Sequence, residues 1–181
     1  SINRIITEAH IPRGSFYQYF SDKEDLIHYL LDNIREYFIS LLQGILVEAR
    51  GDLFAMPLMA YDRFFSQRGD TDPMLALFIK LVTLNKGLDL QNFIGSPQGF
   101  IGEQEHFLPD PLWEVVDAAR LRESSREYAD HVFHLTCAVL AFAIVETLQC
   151  PARADQARAP GRTARIREQT KVRMDLLRYG G

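Results

Sequence analysis

The chain has few cysteines and lacks long apolar runs, phosphate-cradling glycine loops and nucleophile signatures. Its two cysteines, Cys137 and Cys150, form no CxxC pair, so no disulfide framework is expected and a reducing cytoplasm is the expected setting. No apolar run reaches the roughly 18 to 20 residues that a membrane span needs. The longest candidate, 132–148, is interrupted by His134 and bounded by Asp130 and Glu146. No charged start leads into an apolar signal core. Nucleophile elbow, phosphate loop, dinucleotide fingerprint and HExxH are all missing, which argues against an enzyme. Strand alternation, internal repeats and NG or DG hairpin turns are missing too, so a β architecture is not expected.

What remains is a chain of 181 residues, 47% hydrophobic, enough to bury a substantial core in one or two units. Its net charge of −4 is unevenly spread. Residues 1–35 hold 4 Lys/Arg against 5 Asp/Glu, residues 36–150 hold 8 against 16, and residues 151–181 hold 8 against 3. An acidic middle argues against wrapping nucleic acid with the whole surface and leaves local contacts at the ends. The basic tail is expected to be a solvated helix face.

The punctuation is that of consecutive helices. Ser21-Asp-Lys-Glu24 has the form of a capping box opening a helix with apolar residues at 26, 27, 30, 31, 34, 37, 38, 41, 42, 45 and 46. Asp72-Pro73 and Asp110-Pro111 supply helix starts, and Gly87 a stop for the run 74–86. Ser124-Ser-Arg-Glu127 reads as a second box before 128–149, a stretch apolar almost all round and therefore expected to be central and buried. A last helix is expected over about 163–179. Between these, 87–111 reads as a mobile, aromatic-bearing connection and 152–162 as an Ala/Arg segment. The class is all-α.

The specific chemistry lies at the front, in SINRIITEAHIPRGSFYQYFSDKEDL. Ser1 can cap a short helix with Ile5, Ile6 and Ala9 inward, and His10-Ile11-Pro12 turns into a second short helix. Phe16 and Phe20, four apart, share its buried side, leaving Arg13, Ser15, Tyr17 and Gln18 outward. A guanidinium, a hydroxyl, a phenol and an amide on one exposed helix suit phosphate oxygens and base edges in a major groove.

These residues resemble the TetR family of regulators, whose signature reads here "IIxEAxIPRGSFYQYFxxKEDL" and covers residues 1 to about 31. The resemblance implies an all-α protein: a helix-turn-helix DNA-binding domain with its first helix missing, over 1–46, then a helical ligand-binding and dimerisation domain over 47–181. The chain opens at Ser1, already inside the motif, so a preceding segment is expected. It implies that Tyr17 and Lys23 hold phosphates, that Arg13 and Gln18 approach bases, and that Ser1, Ser15 and Tyr19 add backbone contacts. His10 stands where the family commonly has glycine, which predicts strain at a left-handed turn position. The partners implied are double-stranded operator DNA, a second copy of the chain as homodimer, and a small hydrophobic effector. No cofactor and no membrane are expected.

The pairing of the two last long helices with their symmetry mates, and an effector site between the central helix and the Phe-rich connection, also come from the resemblance. Phe78, Phe93, Phe107, Trp113, His131, His134 and Phe142 are the candidate lining, chosen for aromatic or polar character near that space. Glu127, His131 and His134 share an arc of the central helix, with Cys137 further round, and could face one ion. The absence of HExxH and CxxC spacing favours pocket lining or core hydrogen bonding instead. A metal-responsive or activating regulator, or a small helical enzyme, are the alternatives.

Overall fold

A computed structural model of the chain describes residues 1–65, 72–84, 106–148 and 160–180. Every regular element among them is helical. Phe93, Cys150 and most of the two connecting segments lie outside the described residues. The chain divides into two compact units, Ser1–Tyr37 and Phe38–Gly181. The division falls inside one helix.

The first unit holds α1 (Ile2–Glu8), α2 (Arg13–Tyr19) and the opening turns of α3 (Lys23–Glu48). α1 ends in a Schellman turn: the Ile11 N–H reaches the Ile6 carbonyl at 3.1 Å and the His10 N–H reaches the Thr7 carbonyl at 3.2 Å. His10 occupies the left-handed position with φ 52, so the strain expected at this residue is present. The start of α3 lies one residue later than the expected box. Asp22, not Ser21, takes the Asp25 N–H at 2.8 Å, and the Asp25 carboxylate, not that of Glu24, takes the Ser21 N–H at 2.9 Å. A carboxylate caps as well as a hydroxyl, so both registers were open to the sequence.

In the second unit α3 ends in another Schellman turn, with Arg50 at φ 53 and Gly51 at φ 74. The Gly51 N–H bonds the Leu46 carbonyl at 2.8 Å and the Arg50 N–H the Val47 carbonyl at 3.1 Å. The Gly51 carbonyl then accepts the Asp117 N–H at 3.0 Å. α4 (Met56–Phe64) follows, a helix that the periodicity did not announce, with Pro57 in its first turn. Asp72 caps α5 (Pro73–Leu84), its carboxylate accepting the Met74 and Leu75 N–H groups at 2.9 Å each.

A single helical turn, α6 (Asp110–Trp113), and a 3-10 turn, Ala118–Arg120, precede α7 (Arg126–Leu148). Ser125 caps α7 through the Tyr128 N–H at 3.2 Å, again one residue beyond the expected box. α8 (Pro160–Tyr179) begins earlier than 163, because proline with its fixed φ suits a first helical position and need not precede it.

The core gathers Ile45, Leu46, Leu53, Met56, Tyr61, Leu108, Leu112, Phe133 and Ile166, all nearly inaccessible. α7 packs on α4 and α8, and α8 on α4. The Thr147 hydroxyl donates to the Ala143 carbonyl at 2.7 Å, so the buried Tyr61 hydroxyl donates to Thr147 at 2.9 Å. α7 is not buried all round as expected. Ala129, Val132, Phe133, Thr136, Leu140 and Ala143 face inward, while Leu135 is 52% and Phe142 56% exposed on the opposite side. By length and composition α7 would also suffice to cross a membrane, contrary to the count of uninterrupted apolar residues. In the structure one side of it packs against α4 and α8.

The basic tail is a solvated face in part, with Arg165, Arg167 and Lys171 exposed, but several of its arginines also reach the acidic middle. Arg167 takes both carboxylate oxygens of Asp62 at 2.7 and 2.8 Å. Arg162 donates to the Glu146 carbonyl at 2.9 Å, and Arg173 lies 4.6 Å above the Phe142 ring. The buried Asp52 accepts from Arg178 at 2.9 Å, Arg120 at 3.2 Å and the Phe54 N–H at 3.0 Å. One carboxylate thus joins the end of α3, the 3-10 turn and the C-terminal helix.

Candidate nucleic-acid interface

The surface of α2 follows from a helix turning about 100° per residue. Phe16 is buried and Phe20 half-buried beside it, their rings 5.6 Å apart, with Phe20 against Tyr29 at 5.5 Å. Gly14 and Gln18 therefore fall on the opposite side, at the centre of the outward face. A side chain at Gly14 would meet nothing within 4 Å, so the backbone there is open to close approach. Arg13 and Tyr17 form one flank, the guanidinium 5.8 Å from the ring centroid. Ser15 and Tyr19 form the other. Tyr17 is 46% and Tyr19 77% exposed.

This arrangement brings Arg13, Ser15, Tyr17, Gln18 and Tyr19 onto one short helix, with open space at Gly14. Ser1 stands at the N-cap of α1, where its carbonyl, not its hydroxyl, serves the helix: it accepts the Arg4 and Ile5 N–H groups at 3.1 and 3.2 Å. The exposed hydroxyl keeps its outward contacts available. Ala9, expected inward, is exposed. Lys23 is the first residue of α3. Glu24 and Asp25 share its turn, and Asp22 and Asp25 already serve the capping bonds. A phosphate at this helix end would meet the Lys23 ammonium more than an unoccupied helix dipole, since carboxylates already complement that dipole.

In the second unit, a cavity of about 90 Å³, open on one side, is lined by Phe38 and Leu42 of α3, Phe64 of α4, Leu75 and Phe78 of α5, Phe107, and Cys137, Leu140, Ala141 and Ile144 of α7. Phe78 and Phe107 of the candidate lining are on its wall. His134 is not on the wall but stacks against Phe107, the two rings 4.4 Å apart and 31° from parallel. His131 is exposed, Trp113 lies beneath the Arg126 guanidinium, and the exposed Phe142 beneath that of Arg173. Phe93 lies outside the described residues.

Phe107 is held by its neighbours: Asp130 accepts the Leu108 N–H at 3.1 Å and pairs with His106 Nδ1 at 2.8 Å. Arg126 reaches the Leu108 carbonyl at 3.3 Å and the Asp110 carboxylate. Burial pushes the Cys137 thiol up to about 12, so it stays neutral on the wall. Among the described residues, no group of three or more His, Cys, Asp or Glu is placed to hold a metal ion. The missed lining of α7 was a visible stripe at 137, 140, 141 and 144. Only packing shows that this stripe borders a void.

Residues 1–30 match the family described as bacterial regulatory proteins, tetR family. No curated protein and no solved structure matches the chain. The matched stretch contains the two short helices and the exposed face built above. The similarity to DNA-binding regulators of that family is thus confined to the two short helices and the start of α3, and every regular element described after them is helical.

Proposed function

We propose that the protein is a ligand-responsive repressor that binds palindromic operator DNA as a homodimer in the cytoplasm and is released by a small hydrophobic effector. The observation that carries the reading is α2. A buried Phe16 fixes which side faces out, and that side offers Gln18 between Arg13–Tyr17 and Ser15–Tyr19. Amide and guanidinium groups give bidentate options at adenine and guanine, and phenols and hydroxyls reach phosphates.

The dimer is supported by apolar residues left exposed on two helices that pack together. Leu135 and Phe142 on α7, and Val172 and Leu176 on α8, are each more than half exposed. A second copy covering them would bury roughly 2,000 Å² or more in total, as obligate pairs tend to. Coupling is supported by α3, which begins at Lys23, four residues after α2 ends, and carries Phe38 and Leu42 of the cavity wall. An effector that favours a displaced α3 by about 2 to 3 kcal/mol would lower DNA affinity roughly 30- to 150-fold by linkage.

The test is fluorescence anisotropy of the full-length protein on operator and random duplexes. Tyr17→Phe and Lys23→Ala should weaken both similarly, the latter lowering the salt slope by about one. Gln18→Ala should relax base preference at one position per half-site. Equal affinity for random and genomic duplexes, or a monomer by sedimentation at micromolar concentration, refutes the reading.

A further inference from the structure

The cavity carries information about what it can hold. Its wall is made of aromatic and aliphatic side chains, with the thiol of Cys137 the one heteroatom-bearing side chain among them. No charged group and no amide or hydroxyl lines it among the described residues. A ligand carboxylate would therefore be stripped of water without a partner, and an unmet hydroxyl or amide would lose its hydrogen bonds. Size is the second restriction. An apolar cavity of about 150 Å³ stays dry and takes up benzene, whereas this one is about 90 Å³. Within these walls one ring is the most that can be seated, and a long acyl chain or a fused polycycle would have to extend out through the open side.

The shape of the wall adds a third. Phe38, Phe64, Phe78 and Phe107 bring four rings to one void, with Phe38 edge-on to both Phe64 at 5.6 Å and Phe78 at 6.0 Å. Ring edges and faces already arranged in this way favour a further ring in the same tilted contacts. The sulfur of Cys137 is a soft, polarizable neighbour for a π system.

We propose that this cavity is the receptor for a monocyclic arene, an uncharged hydrocarbon ligand of about one ring. This rests on the reading of the protein as an effector-released regulator, and it narrows the effector class from hydrophobic molecules in general to compact molecules without hydrogen-bonding groups. Toluene is the probe. Titration calorimetry on the full-length protein should show one toluene per chain, with benzoate and decanoate at least about tenfold weaker because of charge and length.

Ala141→Leu fills the void and should weaken toluene at least about tenfold, whereas Cys137→Val keeps the wall apolar and should leave binding within about threefold. The pair guards against a variant that merely misfolds, since both are compared by circular dichroism and by operator binding. Benzoate or decanoate binding as well as toluene overturns the proposal, as does toluene binding that Ala141→Leu leaves unchanged. Operator release by some other compound, with no toluene bound, also overturns it while leaving the regulator reading intact. Toluene bound in the wild type and lost in Ala141→Leu, without any change in operator affinity, supports the site and refutes its role as effector switch.

Discussion

Substituting Gly51 by alanine probes the joint at the end of α3, where one residue meets two separate demands. Gly51 has φ 74, and a methyl group there would collide with the backbone nitrogen of Asp117 and lie 2.6 Å from the Val115 carbonyl oxygen. Both obstacles are backbone, so neither can swing aside. Holding an L-residue in the left-handed region costs about 1 to 2 kcal/mol. Moving 115–117 away would break the Asp117 N–H to Gly51 carbonyl bond of 3.0 Å, worth about 1 kcal/mol. Against this, alanine restricts the unfolded chain and returns about 0.4 to 1 kcal/mol. The net loss is about 2 kcal/mol, or a fall in Tm of roughly 4 to 8 °C for a chain of this size.

Gly44 is the internal comparison. It lies within α3, and a methyl group there meets nothing within 4 Å. Gly44→Ala should therefore stabilise by up to about 1 kcal/mol, the difference in helix propensity. Urea denaturation followed by circular dichroism measures both. If Gly51→Ala unfolds within 0.5 kcal/mol of wild type, on the same order as an ordinary surface change, the close approach of the 115–117 backbone is not what fixes this joint.

Two further predictions concern the second unit. The Cys137 thiol, ordinarily at 9.0, is raised by burial to about 12, so the folded state holds its proton more tightly than the unfolded state. Stability is therefore intact below pH 9 and falls as pH rises from there toward 12, by up to about 1.4 kcal/mol per pH unit from this group. Urea melts at pH 8, 9 and 10 should show that slope reduced in Cys137→Ala, and an unchanged slope would remove the thiol as its source. Asp52→Ala takes the shared acceptor from Arg120, Arg178 and the Phe54 N–H. The arginines are about a third exposed and can turn to water, so the expected loss is about 2 kcal/mol, not the larger cost of a fully buried pair. Adding Arg178→Ala to it should then cost much less than Arg178→Ala alone, as a double-mutant cycle would show.

Local rules made the first unit legible. Phe16 and Phe20 are four apart, so their burial follows from the helical period and the outward positions of Arg13, Tyr17 and Gln18 follow by exclusion. The left-handed turn at His10 came from the resemblance, which places a glycine there, and the structure closes it as a Schellman motif. The caps were legible to within one residue: Ser21 against Asp22, and Ser124 against Ser125, are adjacent oxygens equally able to receive an N–H, and the neighbouring contacts choose between them.

Tertiary structure decided what periodicity cannot carry. The sequence shows that α7 is apolar, but hydropathy has no direction, and only the packing of α4 and α8 separates its buried Phe133 and Leu140 from its exposed Leu135 and Phe142. Charge totals likewise show a basic tail after an acidic middle. That Arg167 meets Asp62 and Arg178 meets Asp52, 105 and 126 residues away, depends on chain reversals that leave no mark in local sequence. The cavity is the extreme case, since it is bounded by Phe107 and four helices. Each side chain on its wall satisfies its own helix's pattern, and a void exists only where those patterns fail to fill the space between them.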